Sequence, residues 1–277
     1  MKVNALLFIA FLPVMAIMFF GCAADDPADR VKIVAHRGAM SERPENTMAA
    51  FEHALELGAD ILEIDLRTSR DGHLFVLHDR TLDRTTDAEG DPSERTLAEL
   101  QQLDAGSWFD PAYSDQTIPS VREVMNWASE VGAVLLLDLK ESGREFAENV
   151  TREVRDAGME ENVVVGVRST EQAREFAELL PESRLLAFMR SPDDIEDYAE
   201  AGVDVIRLWL RWLDEDPTLA QRVRKTGKKL MINGTYGELD EAVKIMSFEP
   251  DWILIDDIAQ LKASLEEIAS AAGPKMK

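Results

Sequence analysis

Acidic side chains stand at strand-like spacing in two apolar segments of this 277-residue sequence. Glu63 and Asp65 are two residues apart, and Asp138 is followed at the same spacing by Lys140. Side chains two apart on a strand point to the same side, so each pair shares a face. Three carboxylates in one pocket would repel one another, and a bound cation resolves that repulsion. Carboxylates are hard oxygen ligands, so the pattern predicts one divalent cation, Ca²⁺ or Mg²⁺, at Glu63, Asp65 and Asp138.

Two of the four histidines follow strand-like segments. His36 follows the first such segment, and His78 precedes Asp79. A pair of histidines can move protons in opposite directions, and phosphodiester cleavage needs both transfers together with a cation that neutralises the phosphoryl oxygens. The alternative is that the carboxylates are only salt-bridge partners of Arg67 and Lys140. The two histidines in matching places favour the chemical interpretation.

Strand-like and helix-like segments alternate along the chain from residue 31 onward. The predicted strands cover residues 32–35, 61–66, 134–139, 163–167, 184–188, 205–208, 229–232 and 252–255. Alternation of this kind indicates parallel strand pairing, and eight units indicate an α/β fold of the (β/α)8 or TIM barrel type. One barrel domain is therefore predicted over residues 31–277. Chemistry in this fold belongs at the carboxyl ends of the strands, where the histidines and carboxylates should converge.

Two further segments do not fit the eightfold alternation. Residues 74–77 look strand-like and follow the turn Asp71-Gly72, so they are predicted to form a hairpin extension at the barrel mouth, after the second strand. Residues 86–117 show no clear period and contain several glycines and prolines. They are predicted to form a long loop or a small insertion over one end of the barrel.

The first thirty residues have a different composition. Lys2 precedes an apolar run that ends at Gly21-Cys22 and is followed by polar residues. This order is typical of a secretory signal, and Gly21-Cys22 is similar to a bacterial lipoprotein cleavage site. The prediction is a signal peptide over 1–22, a lipidated Cys22, a tether over 23–30, and an exported protein anchored to a bacterial membrane on its periplasmic or extracellular side. A plain signal peptide with an incidental thiol, or a retained anchor helix, is the alternative.

The charge balance limits the partners of the chain. Its formal net charge is −23 and its pI is about 4.5. A surface this acidic repels the backbones of DNA and RNA, so nucleic-acid binding is not expected. Local positive charge must therefore bind any anionic substrate.

Several short motifs in the first half of the chain resemble those of glycerophosphodiester phosphodiesterases. Their order is Ala35-His36-Arg37-Gly38, Pro44-Glu45-Asn46-Thr47, Gly58-Ala59-Asp60, Glu63-x-Asp65, Asp71-Gly72, His78-Asp79 and Arg84-Thr85-Thr86. The resemblance is dense over residues 31–140 and thin afterwards. It implies a metal-dependent hydrolase that converts glycerophosphodiesters to sn-glycerol 3-phosphate and an alcohol.

The resemblance also assigns roles to residues. His36 and His78 would be the acid–base pair, and the three carboxylates the metal ligands; many relatives have Glu where this chain has Asp138. The implied substrate contacts are Arg37, Glu45, Asn46 and Lys140, and Lys140 also counts with the histidines as catalytic. Asn46 fits equally well as the N-cap of the following helix.

The second half departs from the family pattern. Asn233 is present in the seventh strand and is a predicted substrate contact, but the aromatic residue that commonly precedes it is absent. Arg168 stands where the family has Ser-Phe, and Asp256 ends the last strand without the usual Thr and Pro.

The sixth strand offers another possible substrate contact. Arg207 and Trp209 share a strand face and are predicted to contact the substrate. The alternative is that these two residues form an outer surface beneath a helix.

Two other functions compete with the first. A phospholipase D-like hydrolase acting on lysophospholipids would share the acidic pair and the two histidines, and a long apolar groove over the later strands would favour it. A catalytically idle barrel that binds a phosphate-bearing ligand is the third possibility. The intact histidines and carboxylates argue against this last function.

Overall fold

The computed structural model describes residues 31–271. The predicted signal peptide, Cys22 and the tether lie outside these residues and stay predictions. Within the described part of the chain, none of the helices combines the length and the apolar character that crossing a bilayer requires.

Parallel strands close into a barrel. The strands are β1 (Lys32–Ala35), β2 (Ile61–Thr68), β3 (Leu74–Val76), β4 (Leu135–Leu139), β5 (Val163–Val167), β6 (Arg184–Ala187), β7 (Val205–Trp209), β8 (Lys229–Asn233) and β9 (Trp252–Ile255). Their order is β1-β9-β8-β7-β6-β5-β4-β2-β3, and pairing between β1 and β2 closes the ring. All ring pairs are parallel, whereas β3 pairs antiparallel with β2. The (β/α)8 prediction, with a hairpin strand after the second strand, is confirmed.

Helices connect the strands and cover the outside of the barrel. Over residues 31–271 they are α1 (Met48–Glu56), α2 (Leu97–Leu100), α3 (Val121–Val131), α4 (Arg144–Asp156), α5 (Thr170–Leu179), α6 (Ile195–Glu200), α7 (Leu210–Glu215), α8 (Leu219–Lys225), α9 (Leu239–Ser247) and α10 (Ile258–Ala271). The apolar faces of all of these helices except α2 share one buried cluster with the outward-facing strand residues. This is the main core of the domain.

A second buried cluster consists of strand residues and Phe188, which follows β6, and therefore lies inside the barrel. Its members are Val34, Ile61, Leu136, Val164, Leu186, Phe188, Val205, Met231, Trp252 and Leu254. Because side chains alternate along a strand, the residues two and four positions further on face the same interior. In parallel strands these later positions lie closer to the carboxyl end. The interior layer thus forms a floor, and the polar side chains above it point into the mouth.

The segment between β3 and α3 folds into a compact insertion. It contains α2 and two short 3₁₀ turns, Pro92–Glu94 and Pro111–Tyr113. A small apolar cluster of its own holds it together, made of Phe75, Leu77, Leu82, Leu100, Ala105 and Ile118. Pairing with β3 carries β2 on to Thr68, two residues beyond its predicted end, because Thr68 lies opposite Leu74.

Gly166 makes room for the ring of Phe188. Within the described part of the chain, Phe188 and Trp252 are the two aromatic residues of the interior layer. A Cβ atom at Gly166 would lie 2.3 Å from Cε2 of Phe188 and 3.0 Å from the carbonyl oxygen of Leu137. Real Cβ atoms do not approach other atoms at the first distance. The glycine therefore permits the position of Phe188 at the base of the mouth.

We expect Gly166→Ala to lower the free energy of unfolding by about 1–3 kcal/mol, because the interior cannot admit the extra methyl group without strain. Urea unfolding of the purified chain measures the change. The double variant Gly166→Ala/Phe188→Leu should recover part of the loss, since the smaller side chain frees the space. An unchanged stability of Gly166→Ala would contradict this account of the interior.

Candidate active site

Three buried carboxylates converge at the mouth of the barrel. Glu63 and Asp65 lie on β2 and Asp138 lies on β4, with Asp65 directly opposite Asp138 in the strand register. One carboxylate oxygen of each lies within 4.8 Å of the other two. Burial and the neighbouring Asp65 and Asp138 raise the pKa of Glu63 well above its usual value. The repulsion expected from the sequence is therefore present in the folded chain.

The chemistry of this cluster fits a hard divalent cation. Asp65 is completely buried, and its Oδ1 atom has no hydrogen-bond partner among residues 31–271. Lys140 Nζ lies 2.6 Å from that atom as an ion pair, but outside hydrogen-bond geometry. An oxygen that only this ion pair satisfies can also coordinate a cation, so Oδ1 of Asp65 is a suitable ligand for Ca²⁺ or Mg²⁺.

Two cationic side chains contact the same carboxylates. Lys140 Nζ lies 2.5 Å from Oδ2 of Asp138. Nη2 of Arg168, at the end of β5, donates to both oxygens of Asp138 at 2.6 and 2.7 Å. Burial opposes ionisation of Asp65, but Lys140 and Arg37 outweigh it and lower the pKa of Asp65. The contact of Arg168 was not foreseen from the sequence, although its position two residues after Gly166 on the interior face could have indicated it.

The loop between β1 and α1 wraps the carboxylates with a strained backbone. Arg37 and Asn46 adopt left-handed conformations, with φ of 57° and 59°. The amide of Arg37 donates to Oε2 of Glu63 at 2.8 Å, and the side-chain amide of Asn46 donates to Oδ2 of Asp65 at 2.7 Å. Left-handed backbone at residues other than glycine costs free energy and concentrates at functional sites. The interpretation of Asn46 as the helix cap is wrong: Thr47 caps α1, and its hydroxyl accepts from the amide of Ala50 at 3.3 Å.

Glu45 holds two arginines at the edge of the site. Its carboxylate accepts from Nη1 of Arg37 at 2.8 Å and from Nη1 and Nη2 of Arg84 at 2.7 and 2.8 Å. Burial opposes ionisation of Glu45, but its bonds to Arg84 and Arg37 outweigh it and lower the pKa of the carboxyl group. Glu45 therefore orients Arg37, whose Nε lies 3.6 Å from Asp65.

Each of the two predicted histidines has its Nδ1 beside an aspartate. His36 Nδ1 lies 2.6 Å from Oδ1 of Asp256, and Arg37 Nε donates to His36 Nε2 at 3.2 Å. A guanidinium can only donate, so Nε2 must accept and the ring proton is assigned to Nδ1, which donates to Asp256. Asp256 is separated from His36 by 220 positions in the sequence. It was noted in the sequence only as a departure from the family pattern.

The second histidine is held in the same manner. His78 Nδ1 lies 2.7 Å from Oδ1 of Asp79, whose other oxygen accepts from Arg84 Nε at 2.6 Å. The bond to Arg84 is the main cause of the lowered pKa of Asp79, which favours the carboxylate that accepts from His78. Burial lowers the pKa of His78, with Lys140 acting in the same direction and Asp65 opposing. His78 is therefore favoured in its neutral form, with Nε2 unprotonated.

The remaining predicted substrate contacts lie on the later strands. Arg207 is 5% exposed and stacks over the ring of Trp209, with 4.1 Å from Cζ to the centroid. Its position two residues after Val205 of the interior layer places it inside the barrel, so the outer-surface alternative for this pair is wrong. Asn233 ends β8, and its side-chain amide donates to the carbonyl of Gly234 at 3.0 Å. Neither Trp209 nor Asn233 forms a hydrogen bond with the carboxylate cluster within residues 31–271.

Known proteins are similar to this chain in sequence and in fold. The model of the glycerophosphoryl diester phosphodiesterase family matches residues 36–259. A glycerophosphodiester phosphodiesterase of Caldanaerobacter subterraneus subsp. tengcongensis is 30% identical over 230 residues, which cover 81% of this chain and 93% of that protein.

Solved structures are similar over most of the chain. The glycerophosphodiester phosphodiesterase from Agrobacterium tumefaciens has a TM-score of 0.72 at 30% identity and covers 84% of this chain and 99% of its own. A phosphodiesterase from Oleispira antarctica, solved in complex with the product sn-glycerol-3-phosphate, has a TM-score of 0.73 at 26% identity, with coverage of 85% and 96%.

We expect Glu45→Gln to lower the free energy of unfolding by about 1–3 kcal/mol at pH 7, because the two arginines lose a buried anionic partner. The folded-state pKa of Glu45 is depressed, so its stabilising effect is present above the unfolded value of 4.5 and is lost as the pH falls through the folded value. The difference in the free energy of unfolding between wild type and Glu45→Gln should therefore become smaller below pH 4.5. Urea unfolding at several pH values measures this difference.

The matched control for this measurement is Glu52→Gln, since Glu52 is exposed on α1 and belongs to no ion pair within the described residues. Its stability should equal that of the wild type at every pH. A Glu45→Gln difference that stays constant from pH 7 to pH 3 would contradict the role given to the Glu45 carboxylate.

Proposed function

The chain belongs to the glycerophosphoryl diester phosphodiesterase family, and from that membership we propose that it hydrolyses glycerophosphodiesters to sn-glycerol 3-phosphate and an alcohol, with one divalent cation and two histidines. The observation that carries the proposal is the carboxylate cluster at the mouth, accompanied by two histidines whose Nδ1 atoms are each held by an aspartate. The product bound to the relative from Oleispira antarctica supports the same reaction.

The two histidines support proton transfer in opposite directions. Both have Nδ1 held by a carboxylate, so the exchangeable position of each ring is Nε2. Burial favours neutral His78, which suits it to accept the proton of the substrate's neighbouring glycerol hydroxyl group, whose oxygen would attack phosphorus to give a cyclic phosphate that water then opens. His36 would then donate to the leaving oxygen once its Nε2 is protonated and released from Arg37 Nε, while Asp256 at 2.6 Å keeps the ring oriented through Nδ1.

The remaining residues of the cluster bind and orient. Glu63, Asp65 and Asp138 would hold the cation, which when bound neutralises negative charge on the phosphoryl oxygens. Arg37 and Lys140 place additional N–H donors beside the same carboxylates. Both are held in place by buried acids, so little reorganisation is needed when a phosphodiester enters.

The lipid-hydrolase alternative is less well supported. The cavity beside His78 and Lys140 is lined by charged side chains and Thr81, without an apolar residue among those that line it. A lysophospholipid needs an apolar surface for its acyl chain. The lining of the cavity therefore favours a small, water-soluble diester.

Removal of the cation or of His78 should abolish the reaction. We expect release of sn-glycerol 3-phosphate from glycerophosphocholine and glycerophosphoethanolamine with Ca²⁺ or Mg²⁺, and its loss with a chelator. His78→Ala should lower kcat by about 10²-fold or more, because one proton transfer is lost. His53→Ala is the matched control: His53 lies between Glu42 and Glu56 away from the cluster, and its removal should leave kcat unchanged.

Activity that survives both the chelator and His78→Ala would overturn the proposed mechanism. Metal-dependent release that disappears in His78→Ala but not in His53→Ala would support it.

Asp256→Asn tests the orientation of His36 separately. An asparagine cannot act as the same acceptor for Nδ1–H, so kcat should fall by on the order of 10²-fold or more. Asp257→Asn is the control at the next position, where the carboxylate accepts, among residues 31–271, only from the backbone amide of Gln260. Equal kcat values for the two variants, both folded by circular dichroism, would show that Asp256 has no role in positioning His36.

A further inference from the structure

A cavity of about 570 Å³ opens beside the carboxylate cluster and concentrates positive charge. Among the described residues, the only acidic one in its lining is Asp79, which is already bonded to His78 and Arg84. The cationic side chains that line it are Arg67, Arg80, Lys140, Arg168 and Arg190. The chain as a whole has 53 acidic and 30 basic residues. Five cationic residues and one acidic residue around one cavity therefore reverse the charge balance of the whole chain.

Two of these cations have neither an acidic partner nor a hydrogen-bonded carbonyl group within residues 31–271. Lys140 and Arg168 are paired with Asp138, and Arg67 donates to the backbone carbonyls of Leu77 and His78. In contrast, Arg80 and Arg190 are exposed at the cavity and form neither an ion pair nor a hydrogen bond with any residue from 31 to 271. Their guanidinium groups are available to a ligand.

A buried arginine without a hydrogen-bond partner among residues 31–271 lies close to Arg168 of the cavity lining. Arg207 is 5% exposed, and its Nε and Nη1 atoms have no hydrogen-bond partner in the described part of the chain. Arg207 and Arg168 both stack on the ring of Phe188, at 5.2 and 5.3 Å from Cζ to the centroid. Burial lowers the pKa of Arg207 to about 10, so the side chain stays charged at neutral pH. A buried cation without an anionic partner adds to the positive electrostatic potential on the Arg168 side of the cavity.

The position of the cavity connects it to the reaction. His78 and Lys140 line the cavity and also belong to the proposed catalytic cluster. A group bound in the cavity would thus be part of the molecule whose phosphodiester is cleaved. The scissile phosphate is bound by the cation and by Lys140 in the proposed reaction, and the glycerol half of such a substrate carries only hydroxyl groups. A second anionic group, bound by Arg80 and Arg190, would therefore belong to the leaving alcohol.

We propose that this cavity, with Arg80 and Arg190 as its free ligands, binds a phosphate group on the leaving alcohol, an inference that rests on the proposed function. The substrate class is then a glycerophosphodiester whose alcohol carries its own phosphate. Planar guanidinium forks match phosphate oxygens in pairs, which suits arginine to this recognition. A cationic alcohol such as choline would meet mainly like charge, because five of the lining side chains are cationic and one is acidic.

The test compares two substrates that differ by one phosphate. Glycerophosphoinositol 4-phosphate and glycerophosphoinositol both release sn-glycerol 3-phosphate, so one assay on the full chain follows both. We expect kcat/KM to favour the phosphorylated substrate by at least about tenfold, mainly through KM, as charge-assisted hydrogen bonds of this kind permit. Glycerophosphocholine should be the poorest of the three.

Arginine variants separate the cavity from the charge of the whole protein. Arg190→Gln and Arg80→Gln should each reduce the preference for the phosphorylated substrate by several-fold, and the double variant should bring it towards one. Arg152→Gln removes one charge from the exposed face of α4 and should leave the preference unchanged, because the only side-chain hydrogen bond of Arg152 in the described part of the chain is to Asn149. Equal losses in all three single variants would attribute the preference to net charge and overturn the site.

A binding measurement distinguishes failure of the site from failure of the proposed function. Calorimetric titration of the His78→Ala chain with the two intact inositol diesters gives their Kd values without turnover. Tighter binding of the phosphorylated diester that is lost in His78→Ala/Arg190→Gln, without hydrolysis by the wild type, would retain the anion site and reject the proposed reaction. Hydrolysis of both substrates with equal kcat/KM and equal Kd would retain the reaction and reject the site.

Discussion

Repulsion among three buried carboxylates is the constraint that the rest of the mouth accommodates. Glu63, Asp65 and Asp138 come from neighbouring strands, and all three are buried at the mouth of the barrel. Lys140 and Arg37 partly compensate this negative charge. The side chain of each is largely buried beside its acidic partners. Removing any one charge would leave another unpaired at low effective dielectric. The cluster thus behaves as one electrostatic unit that a divalent cation completes.

The polypeptide around this unit is arranged to deliver donors where the carboxylates need them. The β1–α1 loop places an amide on Glu63 and a side-chain amide on Asp65 through two left-handed residues, Arg37 and Asn46. The strain of that loop is offset by these bonds and by the Thr47 cap of α1. Gly166 lets Phe188 fill the floor, and Arg168 and Arg207 both stack on its ring.

Local and overall charge have opposite signs in this protein. The net charge of −23 repels anions at long range, whereas the cavity beside the cluster is lined by five cations and one acid. Because salt screens long-range fields within about 10 Å, recognition of a phosphodiester depends on the near side chains and not on the total. Proteins of one family can therefore share the catalytic cluster and differ in the alcohol that they accept.

The sequence by itself determined the barrel, the carboxylate pairs and the two histidines, because strand periodicity and motif order are local properties of the chain. Glu63 and Asp65 had to share a face wherever that strand lay. Only the tertiary structure decided that Asp256 meets His36 across the β1–β9 seam, that Arg168 joins Asp138, and that the arginine of β7 points inwards. Periodicity predicts which side chains share a face of a strand. Closure of the sheet into a barrel decides which face becomes the interior and which strand ends become neighbours.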